Sequence, residues 1–299
     1  MRFKPIQEQR CHNQIWSVVF SILAAILLNA CGSAESTNSG VVPAHEAISG
    51  HDDGRIHAGM VIGATPPRSY YEDWDPSNPL TGYEVEILEE IGVRLGREIV
   101  YYDVSWTGLF TGLLAGKWDV GASNIFIKKD REAMMDFSEP HLDSDLGMLS
   151  SIDAEINSLN DLKGRTFGVD TGSGAEVWLR EHMDQYGPYT IQTYNGVPDI
   201  FLDVLTGRLD GGISDLSNVD WYVKSHRNRA KRALVLGEAY RVGFAFRPES
   251  QLADEFTAAI REMKREGVIA EIYNKFHGAY PEDGNSAYVL YEHKYEPAQ

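Results

Sequence analysis

Groups that could make or break bonds are scattered through this chain, whereas groups that could hold a charged solute fall where strands give way to helices. Nine histidines occur, without metal-ligand spacing, and no nucleophile, base and orienting group stand out together. His141 and Asp215 are the nominees for a general acid. The two cysteines, Cys11 and Cys31, lie near the N-terminus, fit no zinc pattern and have nothing downstream to pair with. Binding groups are better placed. Gly172-Ser173-Gly174 precedes a helix, so its backbone N–H groups can point at an anion, or simply turn the chain. Asp215 closes a strand, where open α/β sheets place ligands, and equally suits the N-cap of the helix after it. Arg131 carries the donor fork that grips a carboxylate at two points. In the run Lys128-Lys129-Asp130-Arg131, spacing alone describes a surface arginine just as well.

The elements that must position these groups alternate between strand and helix. Residues 59–64 form an apolar run closed by Thr65-Pro66-Pro67, and residues 73–82 are a surface loop. Leu88, Ile91, Gly92 and Leu95 repeat at helical spacing, with Gly96 as the stop. Strands follow at 98–104 and 118–123, with a helix between them ending at Gly116. This order implies parallel strands covered by helices. The rhythm restarts near Leu159. Strands are expected at 165–170, 191–194, 209–214, 233–236 and 242–246. Helices are expected around Val177-Trp178 and Ile200, over 216–224, and in two long segments around Ile260 and Ile272. Residues 281–299 are polar and irregular, a tail lying on the surface or disordered.

With 299 residues the chain has room for two domains, and 43% hydrophobic with 24% charged residues is a globular composition. A net charge of -17 repels phosphate backbones, which argues against nucleic acid as a partner. Without disulfides the body must be held by buried apolar area. Arg2, Lys4 and Arg10 precede an apolar run over 15–28, too short for a membrane span of about 20 residues and suited to a signal peptide. It ends in Leu28-Asn29-Ala30-Cys31-Gly32-Ser33, which resembles a bacterial lipoprotein signal with Cys31 as the lipidated residue. Residues 1–30 then read as the signal and 31–54 as a flexible tether with an r.m.s. span of ~25 Å.

Several segments together resemble family 3 of the bacterial extracellular solute-binding proteins, the polar amino acid group. Gly82-Tyr83-Glu84-Val85-Glu86-Ile87 is similar to that family's Gly-aromatic-Asp-Val-Asp helix start. Trp106-Thr107-Gly108-Leu109 through Gly116-Lys117-Trp118-Asp119-Val120 resembles its strand–helix–strand passage. Arg131 with Asp136-Phe137-Ser138-Glu139-Pro140, then Leu159-Asn160-Asp161-Leu162-Lys163-Gly164, then Gly207-Arg208-Leu209-Asp210, come in the family's order. The match runs from about residue 59 to 278. It implies an α/β fold of the two-lobe, type II periplasmic-binding-protein kind, each lobe a mixed, mostly parallel sheet flanked by helices. Lobe one would take residues 55–143 and 241–280, lobe two 144–240, with two connecting strands as the hinge.

The resemblance also implies roles. Arg131 matches the arginine that binds the ligand carboxylate and Asp215 the partner of its ammonium. Ser173 and Gly174 would clamp the carboxylate a second time, Trp106 would pack over the ligand, and Tyr71 would form the opposite wall. Three departures bear on the ligand. Phe126 stands where the family usually has Ser or Thr, so a hydroxyl contact is lost and Asn124 would have to replace it, with Ser123 a further ligand-binding candidate. Thr65 stands where an Asp often meets a basic side chain, and Arg68 replaces an aromatic and could pair with a second carboxylate. A non-cationic, acidic or aromatic amino acid is therefore expected. The chain would deliver it to an ABC permease from an exported, lipid-anchored, monomeric position, with no metal or cofactor. The competing readings are a dehydratase for prephenate-like acids on the same fold, and a sensory subunit that presents solute to a receptor.

Overall fold

A computed structural model describes residues 41–43, 53–63, 66–237 and 240–291. The signal segment, Cys31, most of the tether and Thr65 lie outside the described residues. The first half supplies β1 (Val41–Pro43), β2 (Ile56–Met60), β3 (Tyr70–Tyr71), β4 (Leu80–Thr81), α1 (Tyr83–Leu95), β5 (Ile99–Asp103), α2 (Trp106–Leu114), β6 (Val120–Ala122), α3 (Lys129–Glu132) and β7 (Asp136–Phe137). Then come β8 (Leu142–Ser144), β9 (Leu146–Ser151), β10 (Thr166–Asp170), α4 (Gly174–Glu181), α5 (Met183–Tyr186), β11 (Thr190–Tyr194), α6 (Val197–Leu205), β12 (Gly211–Asp215), α7 (Leu216–Ser225) and β13 (Ala230–Val235). The chain closes with β14 (Tyr240–Val242), β15 (Ala245–Phe246), α8 (Gln251–Glu266) and α9 (Val268–His277).

Two sheets carry two lobes. The first has the order β1-β5-β2-β6-β15-β7, with β1, β5, β2 and β6 parallel and β15 antiparallel to its neighbours. The second has the order β11-β10-β12-β9-β13, with β9 alone running against the other four strands. Between them the chain crosses twice, on β8 and β14, which pair antiparallel through Asp143 and Arg241. After the second crossing β15 returns to the first sheet, and α8 and α9 pack on α1.

Local chemistry explains these elements. Every residue of β2 is buried, as a central parallel strand covered on both faces requires. Helix α1 buries Tyr83, Ile87, Leu88 and Ile91 along one stripe and ends where Gly96, at φ 65, folds its N–H back to Gly92 and Val93. Trp118 is only 3% exposed because Gly59 and Gly112 leave room for its ring; a Cβ at either would lie 2.6 or 2.0 Å from it. Burial of such an indole contributes about 3–5 kcal/mol relative to alanine.

Several boundaries differ from the spacing-based expectation, β13 starting at Ala230 rather than 233 among them, and four differences change the fold. The first strand is Ile56–Met60 rather than 59–64, because the Val61 N–H is taken by Ser123 Oγ at 2.9 Å and the Ile62 N–H by Asp103 Oδ1 at 3.1 Å. Side chains replace the ladder there, and the chain leaves the sheet. The expected strand at 242–246 is two strands, β14 in the crossing and β15 in the first sheet. Val41–Pro43, expected to be tether, adds an edge strand parallel to β5. The segment after Pro281 does more than lie on the surface, since Ser286 and Ala287 are buried. Lys264, itself paired with buried Glu139 at 3.0 Å, donates to the Val289 carbonyl at 2.6 Å, and the Tyr291 N–H reaches Glu139 Oε1 at 2.9 Å.

Candidate functional site

The two sheets present their strand ends to one cavity that holds about 620 Å³ of space free of protein atoms, its mouth included. Lobe one contributes Val61, Arg68, Trp106, Ser123, Asn124, Phe126 and Arg131, and lobe two contributes Asp170, Ser173, Gly174, Ser214 and Asp215. This is where the carboxyl ends of parallel strands lie in each sheet.

Arg131 projects from the short helix α3 and is 7% exposed. Its Nη1 donates to the Phe126 carbonyl at 2.9 Å and its Nη2 to the Gly172 carbonyl, on the other lobe, at 3.2 Å. The guanidinium lies over Trp106 and Phe110, 5.4 and 5.0 Å from the ring centres, and those rings meet edge to face. Burial pulls its pKa down to about 10, with Asp130 and Asp215 opposing the fall. Among the described residues no carboxylate comes within ion-pair distance of it, so a buried cation is held by carbonyls and rings alone. Such a site favours an incoming anion.

A second cation, Arg68, is 6% exposed and is tied into lobe one. Its Nη1 donates to the Ser123 carbonyl at 3.1 Å and lies 3.8 Å from Asp215, while its Nε lies 3.9 Å from Glu84. Glu84, in the first turn of α1, is completely buried and accepts the Asn124 N–H at 2.9 Å. Burial pushes its carboxyl up to about 7, against the pull of Arg68 and of that N–H. Asn124 adopts a left-handed backbone, φ 53, which asparagine tolerates better than most residues. Its side chain accepts from Tyr83 Oη at 2.9 Å and donates to Ser144 at 3.2 Å and, across the cavity, to Asp215 at 2.7 Å.

Lobe two brings two carboxylates. Asp215 stands at the N-cap position of α7, but its side chain makes no capping bond. The capping role is therefore unfilled, and the carboxylate faces Asn124 instead. Burial raises its pKa, opposed by Arg68, Asn124 and Arg131. Asp170 ends β10, and its Oδ1 is buried without a hydrogen-bond partner. Burial pushes this carboxyl up to about 7, with Arg68 opposing and Asp215 adding to the rise. Ser173 caps α4 by accepting the Glu176 N–H at 3.2 Å, and Gly174 begins the helix. A Cβ at Gly174 would lie 2.6 Å from the Phe126 ring, which itself stacks on Tyr240 at 4.6 Å. Phe126 thus fills, from lobe one, space that only glycine leaves on lobe two.

Of the residues singled out from sequence, Arg131, Asp215, Trp106, Gly174, Ser173, Arg68, Ser123 and Asn124 all line this cavity. Tyr71 does not: it lies half-buried in the β3–β4 ribbon, and no residue of that ribbon reaches the cavity wall. His141 also lies away from it. It is completely buried, stacked 4.5 Å from Phe244, with burial and Lys264 lowering its pKa to about 3. Asp170 is the charged wall residue that sequence reasoning misses, although the strand-end placement that points to Asp215 applies to it equally. Among the described residues no helix is long and apolar enough to cross a membrane.

Known proteins resemble this chain along most of its length. The arginine-binding extracellular protein ArtP of Bacillus subtilis (strain 168) is 27% identical over 251 residues, 83% of this chain and 92% of its own. The L-cystine-binding protein TcyJ of Escherichia coli (strain K12) is 30% identical over 224 residues, 73% of this chain and 80% of its own. A solved structure of an ancestral arginine-binding protein bound to arginine superposes with a TM-score of 0.69 at 26% identity, covering 76% of this chain and 99% of that one. The two-lobe architecture is the type II periplasmic-binding-protein fold. The family described as bacterial extracellular solute-binding proteins, family 3, matches residues 60–279. This chain belongs to that family, a solute-binding protein rather than an enzyme.

Proposed function

We propose that the cavity captures one free α-amino acid between the lobes for delivery to an ABC permease. The observation that carries this is Arg131, a buried guanidinium facing the cavity with no carboxylate paired to it among the described residues, opposite the carboxylate of Asp215. The ligand carboxylate takes Arg131 and the N–H groups at the start of α4. Its ammonium takes Asp215, displacing or sharing the Asn124 amide. The names of relatives that bind arginine and cystine support an amino acid. The exported family supports a place outside the cytoplasm, and lipidation at Cys31 would hold the protein at the envelope.

Calorimetric titration with the twenty amino acids tests the ligand class. At least one is expected to bind with a Kd near the micromolar range, about -8 kcal/mol; binding by none removes the proposal. The anchor has its own test. Cys31→Ser is expected to move the protein from the membrane fraction to the soluble one, and an unchanged distribution contradicts lipidation.

A further inference from the structure

The charged groups on the cavity wall, Arg68, Arg131, Asp170 and Asp215, are unequally matched. Arg68 lies between two carboxylates, Glu84 of lobe one at 3.9 Å, whose other oxygen takes the Asn124 N–H, and Asp215 of lobe two at 3.8 Å. If the cavity holds an amino acid, the reading on which this inference rests, Arg131 meets the ligand carboxylate and Asp215 the ligand ammonium. That leaves Asp170, whose Oδ1 is shut off from water and receives no hydrogen bond from any described residue. A buried carboxylate must find a donor or take up a proton. An apolar ligand side chain leaves Asp170 as it stands, and an acidic one sets a second negative charge beside it.

We propose that Asp170 receives the side chain of the bound amino acid, and that the ligand is an α-amino acid carrying a second cationic nitrogen. The ammonium or guanidinium is supplied with its counter-charge from lobe two, at the end of β10. This reverses the expectation drawn from Thr65 in the sequence. The amide of a neutral side chain satisfies Oδ1 less well, because charge-assisted hydrogen bonds are about twice as strong as neutral ones.

The test is calorimetry at pH 8 of the wild-type chain and of Asp170→Asn, which keeps the shape and removes the charge. The probes are arginine, ornithine, cystine, glutamine, glutamate and leucine. The tightest wild-type ligand is expected among the first three. Asp170→Asn is expected to weaken that ligand about thirtyfold, as loss of a charged hydrogen bond would. Tightest binding by glutamate, glutamine or leucine overturns the proposal, and so does a variant whose affinity stays within about threefold, a change too small for a lost charged bond. The wild-type panel decides even if the variant fails to fold. Binding of a neutral or acidic amino acid that still needs Arg131 overturns only this inference, whereas binding of no amino acid overturns the proposed capture function as well.

Discussion

The two walls of the cavity are prepared in opposite ways. On lobe one, Arg68, Glu84 and Asn124 hold one another through a buried network anchored at the start of α1. On lobe two, Asp170 and Asp215 sit at strand ends with little support from their own lobe, and Asp215 takes its hydrogen bond from Asn124 across the gap. Arg131 likewise finds its second acceptor, the Gly172 carbonyl, on the far lobe. Lobe one is thus built before the solute arrives, while lobe two becomes satisfied only when the lobes meet around something. Selection among solutes should therefore be sharper on the lobe-two wall.

The largest effect that could break this contrast is at Arg131. Arg131→Met is expected to weaken amino-acid binding at least about thirtyfold, since losing one member of a buried charge pair costs about 2–5 kcal/mol. Unchanged affinity by calorimetry would remove the lobe-one anchor. Closure itself is probed at Gly174, where an added Cβ meets the Phe126 ring at 2.6 Å. Gly174→Ala is expected to cost about tenfold in affinity, within the range for overpacking a close contact. The double variant with Phe126→Ser should recover most of it; no recovery would mean that the two residues do not meet in the bound state.

A third prediction concerns the floor beneath lobe one. Folding lowers the pKa of His141 to about 3 from 6.5, so the folded state excludes a proton that the unfolded chain takes up. Its contribution is whole above pH 6.5 and is lost as pH falls from there toward 3, by about 1.4 kcal/mol per unit. Glu84, raised to about 7 from 4.5, has the opposite slope between those values, so the two offset each other over much of the range. His141→Leu removes one of them. Its stability relative to wild type, from denaturant unfolding at pH 7 and pH 5, should improve by about 2 kcal/mol on acidification. A difference independent of pH would show that His141 is not shielded. The smallest effect on binding is expected at Asn124→Gly, which keeps the left-handed backbone and removes the side chain's bonds to Tyr83, Ser144 and Asp215, only the last of which crosses the cavity. A loss of about threefold to tenfold in binding matches one ordinary hydrogen bond.

Much of this architecture is legible in the chain, and the failures have physical causes. Alternating strands and helices point to two α/β units, and the strand-end position of Asp215 marks the cavity. Asp170 has the same placement, two residues before the Gly172-Ser173-Gly174 turn that draws attention instead; what marks it is a carboxylate oxygen on the cavity wall buried without a donor, which spacing does not encode. Arg131 in a run of charges looks like surface. Only folding puts it under Trp106 and Phe110, so its role is visible through family resemblance and not through spacing. Tyr71 resembles a wall residue by type, yet the β3–β4 ribbon carries it away from the cavity. The docked segment through Tyr291 is polar in sequence because its attachment is polar: the Lys264–Glu139 pair receives it.

Small-angle X-ray scattering on the purified protein, with and without a saturating amino acid found by titration, tests the central claim most directly. Lobes that close on a zwitterion predict a smaller radius of gyration with the amino acid, and no change with the matching amine that lacks the α-carboxylate. Equal radii with and without bound amino acid, or equal binding of the decarboxylated amine, would contradict it.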